Sequence, residues 1–125
     1  MERLRVLVVE DSGAMRAFVR AALEEEMNAE VVEASSGLAA LARIPREEVG
    51  LVLVDVNMPD LNGLELVAFL RKQPAHESTP VILMSTESSE RDRQRGLDLG
   101  ANAFLSKPFG IQELCDVVRR TLADG

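Results

Sequence analysis

Short apolar segments alternate with amphipathic segments along the whole chain, and this alternation limits the fold more than any other feature. Residues 4–9 form a nearly continuous apolar segment that ends at Glu10 and Asp11, the pattern of a strand covered on both faces. Similar segments predict four further strands, at residues 29–33, 51–54, 81–84 and 103–105.

Between the strands, apolar residues recur at spacings of three and four, which predicts amphipathic helices. The helices predicted in this way span residues 13–26, 36–43, 63–72 and 111–122. Pro45 and Pro74 are expected to end the second and the third helix, because proline cannot continue a helix interior.

One further helix, following the fourth strand, differs from the others. No apolar side chain lies between Glu87 and Gly96, and a glycine lowers helix stability by about 1 kcal/mol relative to alanine. Only Leu97 and Leu99 are expected to anchor this helix to the sheet. We therefore predict that it is the least stable and most mobile helix of the protein.

Five strands that alternate with five helices predict an α/β fold with a doubly wound parallel sheet, because each crossover must carry the chain back along the sheet. The chain has 125 residues, close to the commonest length of one domain. No internal repeat and no Gly/Ser linker interrupts the pattern. A single domain that covers residues 1–125 is therefore expected.

Net charge and cysteine content restrict the location and the partners. The formal net charge is -7, which disfavours direct binding to nucleic acid or to an anionic membrane. No apolar segment approaches the roughly 18 residues of a membrane span, and the N-terminus lacks the features of a signal peptide. Cys115 is the single cysteine, so no internal disulfide forms and a reducing, cytoplasmic location is expected.

Polar side chains follow the predicted strands at the carboxyl edge of the sheet, where ligands bind in open parallel sheets. The residues expected there are Glu10, Asp11, Asp55, Ser85 and Lys107. Carboxylates about 4 Å apart repel by roughly 4 kcal/mol at an effective dielectric constant of about 20, so the group must raise a pKa or recruit a cation. Oxygen ligands favour Mg²⁺, whereas His76 and Cys115 are predicted elsewhere and form no zinc site.

In order and spacing, these residues resemble the receiver domain of bacterial response regulators in two-component signalling. The resemblance rests on Glu10 and Asp11, the segment 55–63, Ser85, and the sequence Lys107-Pro108-Phe109, and it covers essentially the whole chain. It is strongest to the stand-alone, CheY-like type. The resemblance implies a flavodoxin-like fold with the strand order 2-1-3-4-5.

The resemblance also implies chemical roles for the residues at this edge. Asp55 would accept a phosphoryl group from a sensor histidine kinase, from a phosphotransfer protein or from a small donor. Asp11 and Asp55 would bind Mg²⁺ directly, Glu10 through a water molecule, and Asn57 through its backbone carbonyl. Such a protein is a phosphoacceptor that promotes its own phosphorylation and dephosphorylation, and is not an enzyme acting on other molecules.

By the same resemblance, Lys107 and Ser85 would contact phosphoryl oxygens, and the Lys107–Pro108 peptide bond is predicted to be cis. Ser85, Thr86 and Phe104 would form the switch that responds to phosphorylation. Phe104 takes the place of the family's switch aromatic but lacks the hydroxyl of the usual tyrosine, and the alternative is a plain core residue.

Two positions near the acceptor bear on the lifetime of the signal. Thr86 stands where the family usually has alanine or glycine, so its side chain either narrows access to Asp55 or points outward. Asn57 and Glu87 match the chemotaxis regulator at the corresponding positions. This match implies a phosphorylated state that lasts seconds to minutes.

Arginines on the last two helices give an acidic protein a basic surface. They are Arg91, Arg93, Arg95, Arg119 and Arg120. A solvated helix face explains such charge, but in the family the surface formed by helix 4, strand 5 and helix 5 receives downstream proteins or effector domains and forms dimers on phosphorylation. The partners expected here are therefore proteins.

Three other functions are alternatives for a chain of this kind. A flavodoxin-like FMN carrier needs a phosphate-binding loop, which Glu10 and Asp11 would disfavour. A haloacid-dehalogenase-type phosphatase needs a second aspartate where this chain has Asn57. The remaining alternative is a receiver-shaped docking module that is never phosphorylated, and the intact acidic residues with Lys107 argue against it.

Overall fold

A computed structural model describes residues 3–86 and 90–124 of the chain. The strands are β1 (Arg5–Val9), β2 (Glu30–Ala34), β3 (Leu51–Asp55), β4 (Val81–Ser85) and β5 (Ala103–Ser106). The α-helices of the described residues are α1 (Gly13–Met27), α2 (Gly37–Arg43), α3 (Gly63–Arg71), α4 (Glu90–Asp98) and α5 (Ile111–Asp124). The sheet is entirely parallel with the order β2-β1-β3-β4-β5. The predicted fold class and strand order are confirmed.

β3 lies at the centre of the sheet, and all five of its residues are buried. Alternate side chains point to opposite faces of a strand. Accordingly, Val52 and Val54 pack with Leu66 of α3, whereas Leu51 and Leu53 pack in a second cluster that includes residues of α1 and α5. Helices therefore cover both faces, and the last residue of β3 reaches the carboxyl edge from within the core.

Polar side chains begin three of the helices directly after the loops at this edge. Ser12 accepts a hydrogen bond from Met15 N (3.2 Å) at α1, and Ser36 accepts one from Ala39 N (3.0 Å) at α2. Asn62 accepts one from Leu64 N (2.7 Å) at α3. Each side chain satisfies a backbone donor that the first helical turn leaves unpaired, so the loops before the helices have defined ends.

Two short 3-10 turns, Ile44–Arg46 and Pro74–His76, were not predicted. Pro45 and Pro74 each lie in the first positions of such a turn, where a proline is tolerated because its missing N–H would have no helical partner. α2 therefore ends as expected and runs directly into its 3-10 turn. α3 ends at Arg71, and Lys72 and the extended Gln73 separate it from the second 3-10 turn.

α4 is held to the sheet differently from the prediction. Leu97 and Leu99 are each 37% exposed, and Gly96 is the buried residue of this helix. A Cβ atom at Gly96 would lie 2.5 Å from Leu83 Cδ1, so the absence of a side chain allows the helix backbone to approach β4. Close backbone contact at Gly96 therefore adds to the anchoring that the sequence assigned to the two leucines alone. No helix in the described part of the chain is long and apolar enough to span a membrane.

Candidate functional site

Three carboxylates meet at the carboxyl edge of the sheet. Glu10 and Asp11 follow β1, and Asp55 is the last residue of β3, next to β1 in the sheet. One carboxylate oxygen from each of the three lies within 4.8 Å of the other two. Glu10 is 1% exposed and Asp55 is 4% exposed, whereas Asp11 is exposed to solvent. The structure thus brings together the acidic residues that the sequence placed at this edge.

Lys107 supplies a positive charge to this cluster. Its Nζ atom contacts Glu10 Oε1 and lies 3.5 Å from Asp55 Oδ1. Its backbone N–H donates to Ser85 O at 2.8 Å, which fixes the end of β5 beside the end of β4. The Lys107–Pro108 peptide bond is cis, as predicted.

The environment of Asp55 makes its carboxyl group harder to ionise than that of a free aspartate. Burial and the neighbouring Glu10 carboxylate raise the pKa of Asp55 to about 6, although Lys107 and a hydrogen bond from Asn57 N act in the opposite direction. A buried acid next to a second acid is a common feature of functional sites. Near neutral pH Asp55 is therefore mostly an ionised carboxylate that gains from any additional cation.

Asn57 connects Asp55 to Ser85. Its backbone N–H donates to Asp55 Oδ1 at 3.2 Å, and its side-chain amide donates to Ser85 Oγ at 3.2 Å. Ser85 is the buried last residue of β4, and Thr86 after it is exposed. The sequence assigned Asn57 a backbone carbonyl role at the metal and a part in the lifetime of the signal, so the amide contact with Ser85 is an addition from the structure.

The loop between β3 and α3 is fixed by contacts that the sequence did not indicate. Gly63 N donates to Val56 O at 3.0 Å. Asp60 accepts hydrogen bonds from Leu38 N (2.9 Å) and Gly37 N (3.2 Å) at the start of α2, and these donors hold the pKa of the Asp60 carboxyl below its usual value. Asp60 therefore ties the loop that carries Asn57 to the neighbouring helix.

Phe104 lies away from the carboxylates. It is half-buried in β5, pairs with Leu83 of β4, and lines a cavity of about 290 Å³ with Arg93, Leu97 and Arg120. Two of the predicted surface arginines thus border the same cavity as the predicted switch aromatic. Glu87 lies outside the described residues, so its predicted role is not addressed by the structure.

His76 and Cys115 do not contribute to the carboxylate cluster. His76 is buried near the start of β4, where its ring nitrogens bond to Ile44 O (3.0 Å) and Thr79 Oγ1 (3.1 Å). Cys115 is buried in α5. Among the described residues, the only group of three acidic, histidine or cysteine side chains close enough to hold a metal ion is Glu10, Asp11 and Asp55.

A doubly wound sheet with three clustered carboxylates and a lysine at its carboxyl edge defines a class of α/β protein with a candidate cation site. The sequence model of the response regulator receiver domain family matches residues 6–119. The chain therefore belongs to this family of two-component signalling proteins.

Relatives include proteins of different lengths. The chain is 39% identical to the gliding motility regulatory protein of Myxococcus xanthus over 95% of its own length, but it spans 15% of that protein. It is 41% identical over 87% of its length to the KDP operon transcriptional regulatory protein KdpE of Escherichia coli, of which it spans 47%. A chemotaxis protein CheY homolog of Campylobacter jejuni is 33% identical, and the match covers 98% of this chain and 95% of that protein. The chain thus spans less than half of the first two relatives.

Solved structures of receiver proteins are closely similar. The chemotaxis response regulator CheY4 of Vibrio cholerae has a TM-score of 0.91 and 33% identity, and the match covers 96% of this chain and 99% of that chain. The receiver domain of the sensor histidine kinase PA1611 of Pseudomonas aeruginosa has a TM-score of 0.87 and 25% identity, with coverage of 98% and 99%. That receiver domain holds a magnesium ion in its active site cleft.

Proposed function

We propose that this receiver domain accepts a phosphoryl group on Asp55 in a Mg²⁺-dependent reaction and transmits the change through the surface formed by α4, β5 and α5. The observation that carries the proposal is the position of Asp55, which is buried within 4.8 Å of two further carboxylates and 3.5 Å from Lys107. This arrangement combines a nucleophile with two cations, the Lys107 ammonium group and a Mg²⁺ ion bound by the carboxylates. Phosphoryl transfer needs mainly such positioning and charge neutralisation.

The residues of the cluster fit Mg²⁺ because they offer only hard oxygen ligands, which this ion prefers. Asp11 and Asp55 are proposed as direct ligands, Glu10 as a ligand through water, and the Asn57 carbonyl as the remaining protein ligand. Bound Mg²⁺ would supply charge that offsets the negative charge of the incoming phosphoryl group. The magnesium ion reported for the PA1611 receiver domain supports this assignment.

In the proposed step, an Asp55 carboxylate oxygen forms a bond to phosphorus as the phosphorus–nitrogen bond of a phosphohistidine breaks. The electron pair of that bond returns to the imidazole nitrogen, which takes up a proton from solvent. Asn57 N–H holds one oxygen of the Asp55 carboxylate, and Lys107 neutralises charge on a phosphoryl oxygen. The donor is a sensor histidine kinase or a phosphotransfer protein, and a small phosphate donor can replace it.

Ser85 and Thr86 are proposed to move toward the phosphoryl group, and Phe104 to respond from β5. The Asn57 side-chain amide donates a hydrogen bond to Ser85 Oγ, so a movement of Ser85 would be felt in the loop that carries Asn57. A downstream protein or effector domain, or a second copy on phosphorylation, would bind the surface near Arg93 and Arg120. We place this exchange between proteins in the cytoplasm, without direct binding to nucleic acid or membrane.

The test is phosphorylation of the isolated chain with acetyl phosphate, followed by intact mass spectrometry. We expect one added phosphoryl group that requires Mg²⁺, is lost in hydroxylamine, and is absent in Asp55→Asn. Asp116→Asn, an exposed aspartate on α5, serves as the matched control and should be labelled normally. Because Thr86 can limit access for the small donor, binding of beryllofluoride is followed by NMR in parallel. A chain that responds to neither reagent would be a docking module that is not phosphorylated.

A further inference from the structure

The guanidinium group of Arg16 contacts the backbone of the acidic pair. Arg16 Nη1 donates to Glu10 O at 2.8 Å and lies 3.4 Å from Asp11 O. Arg16 is in the first turn of α1, only five residues after Asp11, so its side chain folds back over the loop that precedes its own helix. It therefore contacts two of the three residues whose carboxylates form the candidate cation site.

The same short loop is also held by the Glu10 carboxylate. Glu10 Oε1 contacts Lys107, and Glu10 Oε2 accepts a hydrogen bond from Ser12 N at 3.0 Å. The carbonyl groups bonded to Arg16 belong to Glu10 itself and to Asp11. The loop is thus fixed both through the Glu10 carboxylate and through the carbonyls of Glu10 and Asp11, and these contacts constrain where the Asp11 carboxylate stands relative to Asp55.

Arg16 itself is oriented by an anion on β2. Arg16 Nε donates to Glu33 Oε1 at 3.1 Å, and Arg20 Nη1 donates to Glu33 Oε2 at 2.5 Å. Hydrogen bonds from Arg20 and Arg16 hold the pKa of the Glu33 carboxyl below its usual value, so this anchor is charged at neutral pH. Arg20 shares the anchor, but none of its hydrogen bonds reaches the carbonyls of the loop.

Arg16 can affect cation binding in two ways that have opposite signs. As a positive charge on the loop that carries Glu10 and Asp11 it opposes the binding of Mg²⁺, so its loss would strengthen binding. As a group that fixes the ligand-bearing loop it favours binding, because outer contacts that orient metal ligands contribute to metal affinity. The two effects can be separated by experiment.

We propose that Arg16 is a positioning residue for the cation site and that its orienting contact with the Glu10 and Asp11 carbonyls outweighs its electrostatic repulsion of Mg²⁺. This inference rests on the proposed function in that it takes Glu10, Asp11 and Asp55 as the Mg²⁺ site. Arg16→Lys and Arg16→Gln should each weaken Mg²⁺ binding by about tenfold, the lower range for groups that orient metal ligands.

The experiment is a Mg²⁺ titration of the purified chain followed by backbone amide shifts in NMR, with the wild type, Arg16→Lys, Arg16→Gln and Arg20→Gln. Arg20→Gln is the matched control, since it removes a cation from the same glutamate without touching the loop, and its affinity should stay within about twofold of the wild type. Thermal unfolding in chelator, measured for each variant, shows that the titrations compare folded proteins. A purely structural role would lower the unfolding temperature without changing the Mg²⁺ affinity.

Each outcome has a definite meaning. Tighter binding by Arg16→Gln, or wild-type affinity in Arg16→Lys, would overturn the inference and leave the proposed function intact. Failure of the wild type to bind Mg²⁺ would overturn both. If the wild type binds Mg²⁺ and loses affinity in Arg16→Lys but takes no label from phosphate donors, the inference stands and the proposed function falls.

Discussion

The ammonium group of Lys107 contacts the Glu10 carboxylate and lies 3.5 Å from Asp55 Oδ1. One lysine thus partly neutralises two buried acids without any bound ion. The arrangement lets the carboxylates stand close together at neutral pH while Asp11, the third member of the cluster, remains exposed. A divalent cation at this site therefore competes with Lys107 for negative charge.

This competition leads to a prediction for Lys107→Met. Mg²⁺ should bind the variant at least as tightly as the wild type, because the competing cation is gone. The rate of phosphoryl transfer from acetyl phosphate should nevertheless fall by about a hundredfold, as when a charged contact to the transferred group is lost. NMR titration measures the Mg²⁺ affinity, and time-resolved mass spectrometry measures the rate of phosphoryl transfer.

Lys72→Met, at an exposed lysine after α3, is the control. A parallel loss of both quantities would contradict separate roles for Lys107 and the metal.

The raised pKa of Asp55 predicts how stability depends on pH in the metal-free protein. An acid with a folded-state pKa of about 6 and a lower value when unfolded binds more protons in the folded state, so wild-type stability falls as the pH rises through this range. The Asp55→Asn variant has no ionisable group at this position. Above pH 6 it should therefore be more stable than the wild type, on the order of 1 to 3 kcal/mol.

The advantage of Asp55→Asn should shrink as the pH falls from about 6 to about 4, where the wild-type carboxyl takes up its proton in both states. Urea unfolding in chelator at several pH values measures the difference. Addition of Mg²⁺ at neutral pH should stabilise the wild type more than the variant, because the variant lacks one proposed ligand. A constant difference across the pH range would argue against a raised pKa at Asp55.

The strands and their order could be predicted from the sequence. Each buried strand carries its own signal, as Leu51 to Val54 do, and the polar residues at the strand ends fall on one edge in any parallel sheet. Strand boundaries differ from the predictions by at most one residue, and at Asp55 and Ser85 this is because the strand extends past the apolar segment.

Side-chain contacts made by polar residues were harder to foresee. Arg16 has the pattern of a solvated helix arginine, and its contact with Glu10 O depends on how the side chain folds back over the preceding loop. The bond between the Asn57 amide and Ser85 joins the loop after β3 to the last residue of β4, 28 positions along the chain. Such contacts follow from the placement of β3 beside β4, which local sequence patterns do not encode.

Gly63 offers a test of how closely α3 approaches the nucleophile. A Cβ atom there would lie 2.9 Å from Val56 Cα and 3.0 Å from the carbonyl carbon of Asp55, and closer still to the Asp55 carbonyl oxygen. Backbone cannot move aside as a flexible side chain can. Gly63→Ala should therefore destabilise the protein by about 2 to 4 kcal/mol and weaken Mg²⁺ binding by displacing Asp55.

Gly110→Ala is the matched control for this substitution, because a Cβ atom at Gly110 would meet nothing within 4 Å. Its free energy of unfolding should stay within about 0.5 kcal/mol of the wild type. Denaturant unfolding and NMR titration with Mg²⁺ provide both readouts. Wild-type stability in Gly63→Ala would mean that α3 can move away from β3 without cost, and that the loop after Asp55 is not fixed by this contact.

Arg71 forms hydrogen bonds to the backbone just after the C-terminal end of α4. Its guanidinium donates to Gly100 O at 2.8 and 3.1 Å and to His76 O at 2.8 Å, and the described residues provide it with no carboxylate partner within salt-bridge distance. Gly100 follows α4 with φ of 113°, a conformation that glycine adopts without strain. These bonds hold the backbone just after α4, and Gly96 packs the helix against β4.

Arg71→Met should therefore loosen α4 selectively. We expect a loss of about 2 kcal/mol in the free energy of unfolding, since partly buried carbonyls lose a charged donor, and faster amide exchange at residues 94–98 than in the wild type. Exchange in α4 should already exceed that in α1 in the wild type, because local opening follows the amount of buried contact. Lys72→Met, on the residue next to Arg71 and exposed, should change neither quantity. If exchange rises equally in α1 and α4 of Arg71→Met, the arginine stabilises the whole domain and does not specifically hold the helix that is proposed to carry the output surface.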